Sequence, residues 1–428
     1  MNIALINSPV SVRSPHSRLA PPLGLAYIAS VLQANGFSVS AIDFNISGLN
    51  LRRVDRLVKI ERPAVVGISA HTETYCNALK IAHRLKVNDP RIKVVMGGPH
   101  PTLLPRQALT EEAVDFVCIG EGENTMLELC QKIAAGETDF DSIKGLGFKN
   151  NGEVVINPRN ALMDPDALPY PARDLFPLDF YTDRWNVLTA RGGCPFSCPF
   201  CSASQIWGGR RMARDPKKIV AEVKMLINRY GADYIFFSDD IFTINKSWVL
   251  ELLGLLEKEL PTPLEWGCST RVDLVDAELL AAMAKAGCRA IHYGVESGSQ
   301  KVLDSVKGIK KEEVLTAVAT AHQLGIKVAS SFMIPFPEDT AETIRETKDF
   351  IQQVRNQGSK VLLSFTTPFP GTYFYENSER LGLKILAESW EEYDTKHNIL
   401  ETAHLSKNDV EQLVEEIVND VGLARVTG

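Results

Sequence analysis

The chain has 428 residues, of which 45% are hydrophobic and 23% are charged, and this length allows two or three domains with substantial cores. A formal net charge of −7 gives no general footprint for nucleic acid or for an anionic membrane surface. No run approaches 18 apolar residues, so no transmembrane span is expected. The N-terminus has the pattern of a first strand and lacks a signal-peptide pattern.

Short apolar runs alternate with helical patterns over residues 1–135. Continuous apolar strands that are separated by helices indicate an α/β domain with a doubly wound, Rossmann-like parallel sheet. The predicted strands are Ile3–Asn7, Val39–Asp43, Ala64–Ser69, Lys93–Gly97 and Phe116–Ile119, and the predicted helices are Leu23–Ala34, Thr74–Leu85 and Glu123–Ala134.

Distinctive loops follow these strands, and ligands of such sheets bind beyond the carboxyl ends of the strands. Glycine there lets the backbone approach a large planar or phosphate-bearing ligand, although glycine and proline at strand ends are often only turn chemistry. No GxGxxG motif follows the first strand, which is evidence against a nicotinamide or flavin dinucleotide. The loops are Asn7–Pro9, Pro21–Gly24, Gly67–Thr72, Gly97–Thr102 and Ile119–Glu123.

Residues 136–184 form a predicted linker. The stretch Asn151–Tyr181 is rich in proline, aspartate and asparagine and has no sustained period. We interpret it as an ordered connector and assign it no chemistry.

Three of the eight cysteines, Cys194, Cys198 and Cys201, fall within eight residues. Pro195 and Pro199 keep this segment out of a regular helix, so we predict a loop that can wrap three thiolates around one centre. Three thiolates are one short of a closed structural zinc site, although a distant fourth ligand would complete one, and small buried residues are a further alternative. Three soft ligands suit a 4Fe-4S cluster in which one iron stays open to another molecule.

The other cysteines are isolated in apolar contexts, which favours small core residues over disulfide partners and predicts a cytoplasmic protein. They are Cys76, Cys118, Cys130, Cys268 and Cys288.

Strand and helix patterns alternate again over residues 185–375, and residues 376–428 indicate a small helical cap that ends in Asp409–Ala424. Six βα units are fewer than the eight of a closed barrel. The six predicted strands are Trp185–Ala190, Tyr234–Ser238, Leu264–Thr270, Ala290–Val295, Val328–Met333 and Val361–Phe365.

Charged residues follow three of these strands. Asp239 and Asp240 end the second strand, either as solvated acids before a helix that starts at Asn245 or as acceptors for a cation. Arg271 ends the third strand, where a lone arginine is ordinarily a surface charge, and Glu296 ends the fourth.

The cysteine loop, with Phe200 directly before its last cysteine, resembles the signature of the radical S-adenosylmethionine (SAM) enzymes. The resemblance implies a partial (β/α)6 TIM-type barrel, and a cluster on the three cysteines whose open iron takes the amino and carboxylate groups of SAM. It also implies which residues contact SAM. Ser238, Asp239 and Asp240 would bind its amino group, Arg271 its carboxylate, and Glu296, supported by Ser297, its ribose. The backbone of Phe332–Pro337, including Ile334, would contact the adenine edge, and Phe200 would pack on the adenine face. The family often has glycines near that adenine-binding backbone, where this chain has Ser331 and Pro335.

The ordered N-terminal loops look like the cobalamin-binding domain that precedes the radical SAM domain in one large subfamily. That subfamily generally binds cobalamin without a protein imidazole, and here Asn45 stands where corrinoid mutases and methionine synthase have a histidine. His71 and His100 are possible neighbours of the lower face of cobalt, but satisfied loop histidines are the simpler interpretation. The residues that the resemblance places around the corrinoid are Ser69, Thr72, Gly97, Gly98, His100, Glu121 and Gly122.

The resemblance covers residues 1–375 in order and implies a cobalamin-dependent radical SAM methyltransferase. One SAM would methylate cob(I)alamin, a second would be cleaved to a 5′-deoxyadenosyl radical that takes hydrogen from the substrate, and methylcobalamin would then methylate the unactivated carbon. The alternative is ring rearrangement, cyclisation or redox chemistry with the same cofactors and no net methylation. Two other classes fit less well. A non-enzymatic corrinoid sensor or carrier would not need the cysteine loop that this chain has. The methylthiotransferases have additional cluster cysteines in their N-terminal domain, whereas the N-terminal cysteines here are not clustered.

The implied partners are a small-molecule, natural-product or lipid substrate and an electron donor such as flavodoxin or ferredoxin. No nucleic acid is expected. Nothing in the sequence names the substrate.

Overall fold

The computed structural model describes residues 1–11, 19–260 and 264–423, which form two compact units. No helix in these ranges is long and apolar enough to cross a membrane. Unit 1 comprises Met1–Arg184, Ser202–Arg210 and Ser389–Glu391, and unit 2 comprises Trp185–Cys201, Arg211–Glu388 and Glu392–Gly428.

Unit 1 is built on a seven-stranded sheet. Its strands are β1 (Asn2–Asn7), β2 (Ser38–Asp43), β3 (Val65–Ser69), β4 (Lys93–Gly97), β5 (Phe116–Cys118), β6 (Leu146–Asn150) and β7 (Glu153–Ile156), in the order β2-β1-β3-β4-β5-β6-β7. The first five are parallel, and β6 and β7 form an antiparallel hairpin at the edge. The helices are α1 (Leu23–Ala34), α2 (Phe44–Ser47), α3 (Leu51–Glu61), α4 (Tyr75–Asn88), α5 (Pro99–Leu103), α6 (Pro105–Thr110), α7 (Glu123–Ala135) and α8 (Ala203–Trp207).

Both faces of this sheet are covered, which explains the continuous apolar strands. In β1, Ile3 and Leu5 belong to one core cluster, whereas Ala4 and Ile6 belong to another. The predicted doubly wound fold is therefore confirmed, with small shifts at the ends of the predicted strands and helices.

The sequence-based prediction omits several elements of unit 1, namely the short helices α2, α5, α6 and α8, the longer helix α3 and one hairpin. The hairpin of β6 and β7 lies in the segment assigned to the linker, and its turn is Asn151-Gly152, a strong signal for such hairpins, with φ of 49° and 86°. Helix α3 is highly charged, and its apolar face buries only Val54 and Leu57. Its sequence does carry a helical spacing of apolar residues, Leu51, Val54, Leu57 and Val58, which the prediction missed.

Unit 2 is organised around six parallel strands in the order β15-β14-β13-β12-β11-β8, an open barrel in which the pairing follows the chain. The strands of unit 2 are β8 (Asn186–Val187), β9 (Ala190–Gly192), β10 (Arg211–Ala213), β11 (Tyr234–Phe237), β12 (Glu265–Thr270), β13 (Cys288–Glu296), β14 (Lys327–Ile334), β15 (Ser359–Phe365), β16 (Lys384–Ile385) and β17 (Leu400–Glu401). This arrangement confirms the predicted partial barrel.

Helices α9 (Pro216–Tyr230), α10 (Lys246–Glu259), α11 (Ala277–Lys285), α13 (Lys311–Gln323) and α14 (Ala341–Asn356) connect successive barrel strands, with the short α12 (Gln300–Val306) before α13. Helix α15 (Tyr373–Glu376) follows β15, and α16 (Lys407–Val421) ends the described chain. Ala424, the predicted end of the last helix, lies outside the described residues.

The first barrel strand is shorter than predicted. Instead of one strand over Trp185–Ala190, β8 ends at Val187 and the separate hairpin of β9 and β10 begins at Ala190. Between them, the Thr189 N–H donates to Asp239 Oδ2 at 2.9 Å, so it bonds a side chain and not a neighbouring strand.

Candidate active site

The cysteine loop lies between β9 and α8, and its three thiols are half-buried. The Cys194 N–H donates to Asp240 Oδ2 at 3.2 Å, and the Cys201 N–H donates to the Cys198 carbonyl at 3.0 Å. Within residues 1–11, 19–260 and 264–423, no three histidine, cysteine, aspartate or glutamate side chains are arranged as a ready metal site. The assignment of a cluster to this loop therefore rests on its donor set, three thiols spaced CxxxCxxC.

The two aspartates after β11 have different environments. Asp239 accepts from the Thr189 N–H, and its side chain is only 6% exposed, with Arg211 Nη2 3.9 Å from Oδ1. Burial raises the pKa of Asp239 to about 6. Asp240 is exposed and bonds the cysteine loop, while the half-buried Ser238 donates its N–H to the Val187 carbonyl at 3.0 Å.

Arg271 connects the end of β12 to the cysteine loop. Its guanidinium lies over the Phe196 ring, 4.1 Å from the centroid, and its Nη1 lies 3.9 Å from Cys198 Sγ. The same group makes a bidentate pair with Asp273 at 2.9 and 2.8 Å and donates to the Lys307 carbonyl at 3.1 Å. Arg271 is 5% exposed and held on several sides, unlike an ordinary surface arginine.

Glu296 ends β13 with a φ of 81°, a backbone conformation that non-glycine residues rarely adopt and that often marks a functional position. Its Oε1 accepts from Lys307 Nζ at 2.6 Å, and Lys307 also donates to the Gly294 carbonyl at 2.7 Å. Ser297 turns toward α14, where its hydroxyl bonds Thr347 Oγ1 at 3.2 Å. This contact anchors the strand end that carries Glu296.

Phe200 and Pro199 join the cysteine loop to the far edge of the barrel. The Phe200 ring packs edge-on against Phe336 with 5.7 Å between the centroids, and the Pro199 carbonyl accepts from the Phe374 N–H at 3.1 Å. Phe200 is half-buried, so part of its ring stays accessible. That exposed part can pack against a flat ligand.

Ile334 is the last residue of β14 and precedes Pro335 through a cis peptide bond. Its side chain is buried, and its carbonyl accepts from the Thr366 N–H at 2.9 Å. One carbonyl of the predicted adenine-binding backbone is therefore already engaged within the protein.

In unit 1, the predicted corrinoid loops after β3 and β4 are locked together. Gly98 has a φ of 93°, and a Cβ there would lie 2.8 and 2.9 Å from the backbone oxygen and nitrogen of Ala70 and 3.0 Å from Ser69 Oγ. The Ala70 N–H donates to the Gly97 carbonyl at 2.8 Å. Only glycine at position 98 permits this close approach of the two loops.

Thr72 and His100 lie inside these loops. His100 is fully buried, its Nδ1 lies 3.3 Å from Thr72 Oγ1, and its ring packs between Tyr75 at 4.1 Å and Trp390 at 4.9 Å. Burial lowers the pKa of His100 to about 4, against a smaller opposing effect of Gln107. The neutral imidazole is thus part of a packed cluster.

The loop after β5 contains Glu121 and Gly122. Glu121 is 9% exposed, and its Oε2 accepts from the Met163 N–H at 3.2 Å. A Cβ on Gly122 would lie 2.7 Å from Ile28 Cδ1, whereas Gly120 in the same loop has open space where a Cβ would be. The loop therefore packs closely on one side and exposes backbone on the other.

Asn45, which stands in place of a cobalt-ligating histidine, is engaged within unit 1. Its Oδ1 accepts from the Val10 N–H at 3.2 Å, and its N–H donates to Asp43 Oδ1 at 2.9 Å. Asp43 also accepts from the Tyr181 hydroxyl at 2.8 Å. His71 lies in the loop after β3, is solvent-exposed, and donates its backbone N–H to Thr74 Oγ1 at 2.9 Å.

The structure thus brings Cys194 to Asp240, Cys198 to Arg271, and Glu296 to Lys307. Lys307 and Thr189 were not predicted from sequence. The only sequence signal for Lys307 is a lysine before a glycine eleven residues after Glu296, and Thr189 gives no signal.

Comparisons with known proteins match both parts of the chain. The family model described as the Radical SAM superfamily matches residues 190–351, and the B12 binding domain matches residues 17–130. An uncharacterized methyltransferase of Pyrococcus horikoshii is 31% identical, with 97% of this chain and 91% of that protein covered. The anaerobic magnesium-protoporphyrin IX monomethyl ester cyclase of Rubrivivax gelatinosus is 30% identical, with 87% and 68% covered.

A solved structure of the radical SAM methyltransferase TsrM from Kitasatospora setae, with cobalamin and a 4Fe-4S cluster bound, has the same fold. It matches with a TM-score of 0.77 at 19% identity and covers 98% of this chain and 88% of that one. A radical SAM barrel that carries a B12 binding domain defines an enzyme with three cofactors: a 4Fe-4S cluster, SAM and cobalamin. The chain belongs to the cobalamin-dependent radical SAM enzymes.

The residues present fit these cofactors. The cysteine loop offers three thiols, with a buried arginine 3.9 Å from one of them. In unit 1, Gly120 lies in the loop after β5 and Gly24 in the first turn of α1. Among the described residues, no atom outside the adjacent positions lies within 4 Å of where a Cβ would be on either glycine. Backbone there is open to a large flat ligand.

Proposed function

We propose that this chain is a methyltransferase that uses SAM, a 4Fe-4S cluster and cobalamin to methylate an unactivated carbon of a small molecule. The observation that carries the proposal is the network that joins the cysteine loop to three strand ends. It runs from Cys194 to Asp240, from Cys198 to Arg271, and from Arg271 through Lys307 to Glu296. The similarity to a methyltransferase along nearly the whole chain supports the reaction type.

In this proposal, Cys194, Cys198 and Cys201 ligate the cluster. When bound, the three groups supply a radical that removes hydrogen from carbon and a methyl group that replaces it. Asp240 fixes one end of the cysteine loop through the Cys194 N–H. Arg271 places its positive charge beside Cys198, where it favours the thiolate and can attract the SAM carboxylate.

The remaining SAM contacts follow from charge and shape. Asp239 and Asp240, with Ser238 before them, offer oxygen acceptors to an amino group. Glu296 offers carboxylate oxygens to ribose hydroxyls while Lys307 neutralises its charge. The half-buried Phe200 offers a ring face to adenine, with the backbone around Ile334 at its edge.

In unit 1, we propose that cobalamin lies against the loops after β3, β4 and β5. The seven predicted contacts lie at or shortly after the carboxyl ends of these three strands: Ser69, Thr72, Gly97, Gly98, His100, Glu121 and Gly122. Because His100 is fully buried and Asn45 bonds Val10, neither supplies a ligand to cobalt in this proposal.

A second candidate function is radical cyclisation without net methyl transfer. It is favoured by the 30% identity to a cyclase over 87% of this chain. The same cysteine loop and strand-end network would serve both reactions, so the products must distinguish them.

An electron donor such as flavodoxin or ferredoxin completes the proposal, because reductive cleavage of SAM needs one electron. We also propose a cytoplasmic location. All eight cysteines are free thiols, as expected in a reducing compartment.

The test is anaerobic reconstitution with iron, sulfide and hydroxocobalamin, followed by incubation with SAM and a chemical reductant. A corrinoid spectrum with both 5′-deoxyadenosine and S-adenosylhomocysteine as products is the expected result. Bound corrinoid with 5′-deoxyadenosine alone would favour cyclisation. Protein that binds no corrinoid would overturn the proposal.

A further inference from the structure

A short piece of the C-terminal extension belongs to unit 1. Ser389–Glu391 groups with the N-terminal fold, although the residues on both sides belong to unit 2. Trp390 is the largest side chain of this tripeptide and packs against the hydrophobic core cluster of unit 1. We call Ser389–Glu391 the clasp.

The centre of the clasp is an aromatic contact. The Trp390 ring meets the His100 ring edge-on with 4.9 Å between the centroids, and the Tyr75 ring also packs on His100, with 4.1 Å between the centroids. His100 has no exposed surface, and no partner bonds its Nε2 among the described residues. Its Nδ1 contacts Thr72, so Trp390 acts on both predicted corrinoid loops through one buried histidine.

Polar contacts flank the tryptophan. Glu391 Oε1 accepts from the Ser11 hydroxyl at 2.8 Å and lies 3.4 Å from Lys80 Nζ. Ser389 Oγ lies 3.9 Å from Cys76 Sγ on α4. The ionic contact is solvent-exposed and screened, so the aromatic packing makes the larger contribution.

The loops that the clasp contacts through His100 have little room to change their shape. Gly98 fits against Ala70 and Ser69 with no room for a side chain, and His100 follows two residues later in α5. A ligand binds more tightly to loops that are already ordered, because less conformational entropy is lost on binding. Removal of Trp390 would expose the His100 ring and loosen the loops that contain Thr72 and Gly98.

We propose that Trp390 is a positioning residue for cobalamin, which holds the loops after β3 and β4 in the shape that binds the corrinoid. The inference rests on the proposed function of unit 1. It gives the C-terminal extension a role in cobalamin retention.

The test compares wild type, Trp390→Ala, Trp390→Phe and Phe180→Ala after reconstitution with hydroxocobalamin. Phe180 is the matched control, an aromatic residue of unit 1 that is 67% exposed. Release of cobalamin on dilution is followed by visible absorption, and iron content is measured in parallel. We expect roughly tenfold faster release from Trp390→Ala, since an aromatic pair and its buried area contribute on this scale.

Trp390→Phe should release cobalamin at close to the wild-type rate, because it keeps a ring against His100. This variant still allows the test if Trp390→Ala fails to fold. Iron content should match wild type in every variant, since the cysteines belong to unit 2. Equal release rates in wild type and both Trp390 variants would overturn the role of Trp390 but leave the proposed function intact. Wild-type protein that binds no cobalamin would instead overturn the proposed function.

Discussion

Lys307 Nζ donates to Glu296 Oε1 at 2.6 Å, and the two side chains are only 7% and 9% exposed. Lys307 follows α12, and its backbone carbonyl accepts from Arg271. One residue thus joins the strand ends of β12 and β13. Because charges in such a buried pair have left water, removal of one partner leaves the other without compensation.

Lys307→Ala should therefore destabilise the protein by about 3–5 kcal/mol, the usual cost of breaking a buried ion pair. The measurement is urea unfolding of cofactor-free protein. Lys310→Ala is the matched control, since Lys310 pairs with Asp304 at 2.7 Å on the exposed surface, and it should unfold close to wild type. Equal losses in both variants would show that the Glu296 pair is not buried in solution.

Glu296→Gln should weaken SAM binding, because glutamine keeps an acceptor for Lys307 but loses the negative charge of the carboxylate. Hydrogen bonds to a charged group contribute about 1.5–3 kcal/mol, so the dissociation constant should rise about 10- to 100-fold. Equilibrium dialysis of cluster-loaded protein with SAM measures it. The exposed Glu312→Gln should bind SAM as wild type does, and wild-type affinity in Glu296→Gln would remove this residue from the site.

The sequence predicted what is local or periodic. The cysteine loop is a contiguous motif, and the apolar strands of both sheets follow directly from burial on two faces. Asp240 follows β11, whose end at Phe237 lies one residue before the predicted end, and Arg271 directly follows β12, which ends at Thr270 as predicted.

What the sequence could not predict depends on contacts between distant residues. Lys307 resembles any surface lysine until α12 folds it back onto Glu296. Trp390 lies 290 positions after His100, and no periodic pattern links them. Thr189 lies two residues after β8, and its N–H bonds Asp239, fifty residues further on. Such pairings arise only from the tertiary fold.

Cys198→Ala should abolish iron loading and SAM cleavage and leave cobalamin bound, because the cysteine belongs to unit 2 and the corrinoid loops to unit 1. Iron analysis and the visible spectrum after reconstitution measure both properties. Cys76→Ala is the control outside the loop and should load iron as wild type does. Retained SAM cleavage in Cys198→Ala would refute the cluster assignment.

Gly98→Ala should lower cobalamin affinity, because a Cβ would lie 2.8 Å from the Ala70 carbonyl oxygen and force the two loops apart. Gly36→Ala separates this collision from backbone strain: its φ is 82°, but no atom lies within 4 Å of the added Cβ. Gly36→Ala should lose roughly 1–2 kcal/mol from its positive φ. Gly98→Ala should lose at least as much, because a φ of 93° with a ψ of −174° lies in a region that only glycine adopts readily. Only Gly98→Ala should lose cobalamin in a binding titration, and equal affinities would show that the loops tolerate separation.

Asp339 should make the stability of the protein depend on pH. Its carboxylate is 1% exposed and accepts from the Phe336 N–H at 2.8 Å and from Thr343 Oγ1 at 2.7 Å. Burial raises the pKa of Asp339 from 3.8 to about 6, so the protonated form is the one that folding favours. The associated stability is fully present below 3.8 and is lost as the pH rises through about 6.

Asp339→Asn has no proton to lose at this position, so its stability should lack this component. Between about pH 4 and about pH 8, wild type should lose on the order of 3 kcal/mol relative to the variant. Urea unfolding of both cofactor-free proteins at several pH values measures this difference. The contributions of all other titrating groups are the same in both proteins and cancel in the comparison. The asparagine also replaces one of two acceptors, which lowers its stability at every pH by a constant amount. Parallel profiles would mean that Asp339 is ionised in the folded protein without a penalty.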